Sequence, residues 1–131
     1  MGASAGGADK QSIAILDKFS HNIGIAYQIK DDLSDYHGNS GDIEIRRFSI
    51  LLSMVFEKML GDERLSLLEQ FKNGDSTKVF ELIKEYKIQE ETEALLKAYI
   101  NEAKRSLENL QNLGLKIALH ELVGKIFKDY L

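Results

Sequence analysis

Apolar residues recur at intervals of three and four along most of the chain, which is the spacing of amphipathic α-helices. This spacing predicts six helices, at residues 10–36, 43–60, 63–72, 76–87, 90–113 and 115–131. Residues 43–60 are apolar on nearly every side, which is typical of a buried central helix. The chain has no proline, and alternating β-branched runs are missing. The pattern therefore predicts an all-α protein, a bundle of about six helices that forms a single domain over residues 1–131.

The same spacing predicts which side chains face the core. In the first, third and last helices the expected inward residues are Ile13, Leu16, Phe19, Ile23 and Tyr27; Leu65, Leu68 and Phe71; and Leu119, Leu122, Ile126 and Tyr130. Gly61 and Gly114 are expected to end helices, since glycine is common just past a helix C-terminus. Residues 36–42 and 73–75 have the composition of turns.

Composition narrows the class of protein. With 131 residues, 44% of them hydrophobic, the chain can bury a modest core. A formal net charge of −4 gives no electrostatic reason to expect nucleic acid or an anionic membrane as the main partner. There are no cysteines, which excludes disulfides and thiolate metal sites. No apolar run is long enough to form a transmembrane segment. The first residues lack the basic and apolar regions of a secretory signal peptide, so we expect a cytoplasmic protein.

An acidic stripe late in the first predicted helix is the main candidate for chemistry. At roughly 100° per residue, Asp31, Asp32 and Asp35 share one face with Gln28 and the bare backbone of Gly24. Carboxylate oxygens at this spacing suit Mg²⁺, which usually takes one or two carboxylates together with water and substrate phosphates. The alternative is a solvated acidic face, because runs of charge usually face solvent.

Residues 24–35 read G-I-A-Y-Q-I-K-D-D-L-S-D and resemble the second aspartate-rich motif of the trans-prenyl diphosphate synthases, G-x-x-F-Q-x-x-D-D-x-x-D. Tyr27 stands where the family usually has phenylalanine. The resemblance implies that Mg²⁺ bridges the motif carboxylates to an allylic diphosphate or to pyrophosphate. Asp31 and Asp35 are then the expected ligands, and Asp32 is either a ligand or a group just behind them. Tyr27 and Gln28 would line the diphosphate site.

Residues 41–50 resemble the passage that follows this motif in the family, where an aspartate precedes K-x-T. Asp42 matches the aspartate, Arg47 the lysine and Ser49 the threonine, which implies that Asp42 and Arg47 contribute to substrate binding. Arginine keeps the charge of lysine but has a planar, forked geometry. The alternative for Arg46 and Arg47 is a solvated pair at the start of a helix.

The resemblance covers nearly all of the chain, but it matches only the part of the family domain from the second motif onward. It implies the C-terminal half of an isoprenoid-synthase-type fold. The family reaction condenses an allylic diphosphate with isopentenyl diphosphate in isoprenoid biosynthesis. The family's first D-D-x-x-D motif is not among these 131 residues, so no catalytic site is complete in this chain.

We therefore expect the C-terminal part of a polyprenyl diphosphate synthase, inactive alone, because metals must clamp the leaving diphosphate from both sides. The implied partners are the missing N-terminal half of the domain and, through the apolar segment 43–60, further copies of the chain. Two alternatives stay open. The chain could be a non-catalytic subunit that binds magnesium and diphosphate, or a helical interaction domain whose acidic stripe is solvated.

Overall fold

The computed structural model of the protein describes residues 7–37, 49–75 and 77–131. These residues form six α-helices and one 3₁₀ helix, with no strand among them. The helices are α1 (Gly7–His37), α2 (Ser49–Lys58), α3 (Asp62–Lys72), α4 (Thr77–Glu85), α5 (Ile88–Ser106) and α6 (Leu113–Ile126), followed by the 3₁₀ helix Lys128–Tyr130. The all-α class is confirmed, while the isoprenoid-synthase-type architecture and the single domain stay predictions.

The chain divides into two compact units. The first comprises Met1–Gln28 with Leu95–Leu131, and the second comprises Ile29–Ala94. No helix in the described ranges is long and apolar enough to cross a membrane.

Helix α1 buries a face that shares only Phe19 with the one that the sequence predicted. Its buried residues recur at alternating steps of three and four: Phe19, Asn22, Ala26, Ile29 and Leu33. Of the predicted inward residues, Ile13 is 45% exposed and Tyr27 is 53% exposed. The buried face is rotated by roughly 100° from the predicted one, the angle between successive helix residues. The prediction was wrong because α1 has two apolar stripes, and the one that is buried includes the inconspicuous Ala26 and Asn22.

The core of the second unit forms around α2, which contacts α4. Leu51 and Val55 of α2 are fully buried, as are Ile88 and Thr92 of α5. The Thr92 hydroxyl donates to the carbonyl oxygen of Ile88 at 2.7 Å and lies 3.2 Å from the sulfur of Met54. The apolar helix predicted at residues 43–60 was expected to be buried, and this holds for the face of α2 that carries Leu51 and Val55. Its predicted first residues, 43–48, lie outside the described residues.

The predicted helix 90–113 is in fact two elements. Helix α5 ends at Ser106, whose hydroxyl donates to the carbonyl oxygens of Glu102 and Ala103 at 2.9 Å each. Such side-chain bonds to carbonyl oxygens compete with continuation of the helix. Helix α6 then begins after Asn112, whose side chain accepts the N–H of Leu115 at 3.0 Å. Gly114 therefore lies in the first turn of α6 and does not close a helix.

The inward faces of α3 and α6 also differ from those predicted. In α3, Leu65 is 64% exposed and Leu67 is the buried residue. Near the C-terminus, Leu122 is 44% exposed, whereas Val123 and Phe127 are fully buried. In each case the buried position is next to, or one turn beyond, a predicted one, since apolar residues occur on more than one face of these helices.

Candidate functional site

The motif residues lie on consecutive turns of a single uninterrupted helix. Helix α1 runs from Gly7 to His37 and so includes the whole of residues 24–35. Asp31 and Asp35 are one turn apart, within about 40° of each other around the helix axis. Gln28 lies one turn before them on the same face by the same geometry. The sequence predicted that Gln28, Asp31 and Asp35 share one helix face, and the continuous helix α1 has them in that arrangement.

The acidic stripe avoids the buried face of α1. Leu33 is fully buried and Ile29 is 4% exposed, whereas Asp31 is exposed and Asp32 and Asp35 are half-buried. All three carboxylates therefore lie outside the buried face, where contact with water lowers the cost of a charged group. This exposure suits both a metal-diphosphate site and a solvated acidic face.

The three carboxylates do not form a closed metal cage. Within the described ranges, no three His, Cys, Asp or Glu side chains are placed so that together they could hold a metal ion. A pair of carboxylates one turn apart is nevertheless a suitable donor set for Mg²⁺, which takes its remaining ligands from water and phosphate oxygens. The arrangement fits a magnesium ion that arrives with a diphosphate better than one held by protein alone.

Asp32 has a structural partner that the sequence analysis did not predict. Its Oδ2 atom accepts the backbone N–H of Ile50, the second residue of α2, at 2.9 Å. The first four N–H groups of a helix have no carbonyl partner within it. Asp32 therefore caps α2 from a position 18 residues earlier in the chain.

Tyr36 follows the stripe near the end of α1, where the sequence predicts the boundary between a helix and a turn. In the structure its ring stacks on Phe80 of α4, with the ring centroids 6.2 Å apart and the planes 22° from parallel. Burial raises the pKa of the Tyr36 phenol, and the negative charge of Glu90 raises it further. The neutral phenol is thus the favoured form, and the ring links α1 to α4 within the second unit.

An apolar groove of about 670 Å³ lies in the first unit, between α1 and α6. Leu16 and Ile23 of α1 and Leu119 and Leu122 of α6 line it. Gly24, Tyr27 and Gln28 also line it, so the predicted substrate-binding residues Tyr27 and Gln28 belong to its wall. The second apolar stripe of α1, which was predicted to be core, is the one that forms this groove.

The remaining predicted site residues, Asp42 and Arg47, lie outside the described residues, so their phosphate contacts stay predictions. No protein-family model matches the chain, and no solved structure matches it. The identity of the site therefore depends on the residues themselves and on their placement along α1.

Proposed function

We propose that this chain binds Mg²⁺ together with the diphosphate of an isoprenoid, as the C-terminal part of a polyprenyl diphosphate synthase. One observation carries the proposal: the motif G-x-x-Y-Q-x-x-D-D-x-x-D lies on the uninterrupted helix α1, with Asp31 and Asp35 one turn apart and away from the buried face.

Each side chain has a specific task in this proposal. Asp31 and Asp35 supply hard oxygen ligands to magnesium, and the diphosphate and water supply the others. The amide of Gln28 is placed one turn before them and donates to a diphosphate oxygen. The bound metal would neutralise charge on the departing diphosphate when an allylic substrate ionises.

The groove supports an isoprenoid as the ligand. Its lining is mostly apolar, and it includes the amide of Gln28. An apolar surface beside a polar anchoring group is the usual composition of a small-molecule site. A ligand with a hydrocarbon chain and an anionic head suits this combination.

For the chain by itself we propose binding without condensation. Stabilising the leaving diphosphate from both sides needs a second set of metal ligands, and the first D-D-x-x-D motif of the family is not in this sequence. The alternative is a subunit whose function is to bind magnesium and diphosphate without catalysis.

Isothermal titration of magnesium pyrophosphate into the chain tests the proposal. We expect saturable binding that weakens at least about tenfold in Asp31→Asn and in Asp35→Asn, since changes even behind metal ligands have effects of this size. Asp17→Asn is the matched control. Asp17 is exposed on the same helix and lies on nearly the same face, but about 21 Å from Asp31 along the axis.

The proposal requires that Asp17→Asn leave the affinity within about twofold, since at 21 Å a surface charge is largely screened. Absence of saturable binding by the unaltered chain would contradict the proposal. Equal weakening by Asp17→Asn and Asp31→Asn would show that the acidic surface attracts the metal without forming a site.

A further inference from the structure

We infer that Asp32 is a positioning residue that caps α2, and that the metal-binding carboxylates of the motif are Asp31 and Asp35 alone. The part of this inference that concerns metal rests on the proposed function. The part that concerns the cap rests on the hydrogen bond between Asp32 Oδ2 and the Ile50 N–H, 2.9 Å long and partly buried.

Helix α2 receives this cap from another helix. Its first turn contains no acidic residue, although negative charge is favoured at a helix N-terminus because the unpaired N–H groups carry partial positive charge. A carboxylate that accepts one of these N–H groups satisfies the donor and supplies the charge. Asp32 does both, from a half-buried position on α1.

The same contact separates Asp32 from its neighbours in the motif. Around the axis of α1, Asp31 and Asp35 differ by about 40°, whereas Asp32 lies about 100° from Asp31. If the Asp32 carboxylate turned toward a metal held by Asp31 and Asp35, the Ile50 N–H would lose its bond to Oδ2. Losing a partly buried hydrogen bond costs more than losing an exposed one.

This division gives the adjacent aspartates of the motif different tasks. Asp31 is exposed and available to a ligand that arrives from solvent. Asp32 joins the last turns of α1 to the first turn of α2, and both segments belong to the second unit. The cap therefore holds the metal-binding turns of α1 in place without contacting the metal.

A pair of substitutions at one position distinguishes a cap from a ligand. Asparagine and aspartate are about equally good helix caps, whereas alanine cannot cap. An amide is a much poorer magnesium ligand than a carboxylate, since Mg²⁺ is usually held by carboxylates and phosphates. Asp32→Asn therefore keeps the cap and removes the ligand, whereas Asp32→Ala removes both. Asp31→Asn is the comparison for loss of a ligand.

Two measurements decide the inference: amide hydrogen exchange at Ile50, and magnesium pyrophosphate affinity by titration. For Asp32→Asn we expect affinity within about threefold of the unaltered chain, well short of the tenfold or greater loss expected for a change at the metal. Exchange at Ile50 should change little in this variant. For Asp32→Ala we expect exchange at Ile50 to accelerate roughly 2- to 30-fold, the range that loss of a helix cap gives.

Either of two results would overturn the inference. If Asp32→Asn loses as much affinity as Asp31→Asn, Asp32 is a ligand. If Asp32→Ala leaves exchange at Ile50 unchanged, the cap does not form in solution. If the unaltered chain does not bind magnesium pyrophosphate, the proposed function fails and the division of the carboxylates fails with it. Exchange at Ile50 still decides in that case whether Asp32 caps α2.

Discussion

Gly24 offers a direct test of whether the motif is maintained for binding or for folding. It lies well inside α1 and is exposed. Its φ angle is not among the positive ones of the described glycines, which are those of Gly61 and Gly74. A methyl group built on Gly24 would meet no atom within 4 Å. Nothing in the described part of the fold therefore requires glycine at this position.

Replacing Gly24 by alanine should stabilise the protein. Glycine inside a helix costs about 0.5–1 kcal/mol relative to alanine, mostly through the greater freedom of the unfolded chain. With no steric clash to offset this term, we expect the free energy of unfolding to rise by that amount. For a chain of 131 residues the rise corresponds to roughly 2–4 °C in Tm. Calorimetry and urea unfolding measure it, and the urea m-value should not change.

Gly124→Ala is the matched control. Gly124 lies in the last turn of α6, and a methyl group there would also meet no atom of the described residues within 4 Å. Both variants should gain stability, but only Gly24→Ala should lose affinity for magnesium pyrophosphate, because only there would the methyl group obstruct a ligand that approaches the bare helix backbone. A lower Tm for Gly24→Ala would refute the structural reasoning. Unchanged affinity in a stabilised Gly24→Ala would show that no ligand atom comes close to this position.

Two further predictions concern stability alone. Asn112→Ala removes the side chain that accepts the Leu115 N–H at 3.0 Å, so urea unfolding should show a loss of about 0.5–2 kcal/mol. The exposed Asn109→Ala should cost much less, and equal losses would contradict the cap. At Tyr36, burial and the charge of Glu90 raise the phenol pKa above its ordinary 10.0. The folded state thus favours the neutral phenol. This contribution to the free energy of unfolding is fully present below pH 10 and is lost as the pH rises through the folded-state pKa. Tm should therefore fall above about pH 10, and less steeply in Tyr36→Phe; parallel curves for the two proteins would refute this.

The sequence predicted local structure well where the relevant geometry lies within one helix. The first helix was expected at residues 10–36 and is observed at Gly7–His37, because a long 3.6-residue period needs no information from elsewhere in the chain. For the same reason, the spacing of Asp31 and Asp35 on one face followed directly from their positions. What the period could not decide was which of two apolar stripes is buried, since that depends on the helices that pack against α1.

The cap on α2 shows the other limit of sequence reasoning. Asp32 and Ile50 are separated by 18 positions, and no local pattern connects them. A weak signal was nevertheless available. The first turn of α2 contains no acidic residue, and negative charge is favourable near a helix N-terminus. Since Asp32 also belongs to a recognisable motif, the sequence predicts for it a place at or just behind the metal and does not predict the cap.

The surface of α1 gives the strongest reason to test a ligand before accepting a solvated face. The helix has one buried stripe, one apolar stripe that forms the groove with α6, and one acidic stripe. A helix with only a structural function needs only the buried stripe. The apolar stripe that forms the groove is partly exposed, and contact of apolar surface with water is unfavourable. Glycine inside the helix adds a further cost. If binding explains these features, stability and affinity should change in opposite directions when Gly24 is replaced, whereas a purely structural helix would gain stability and lose nothing.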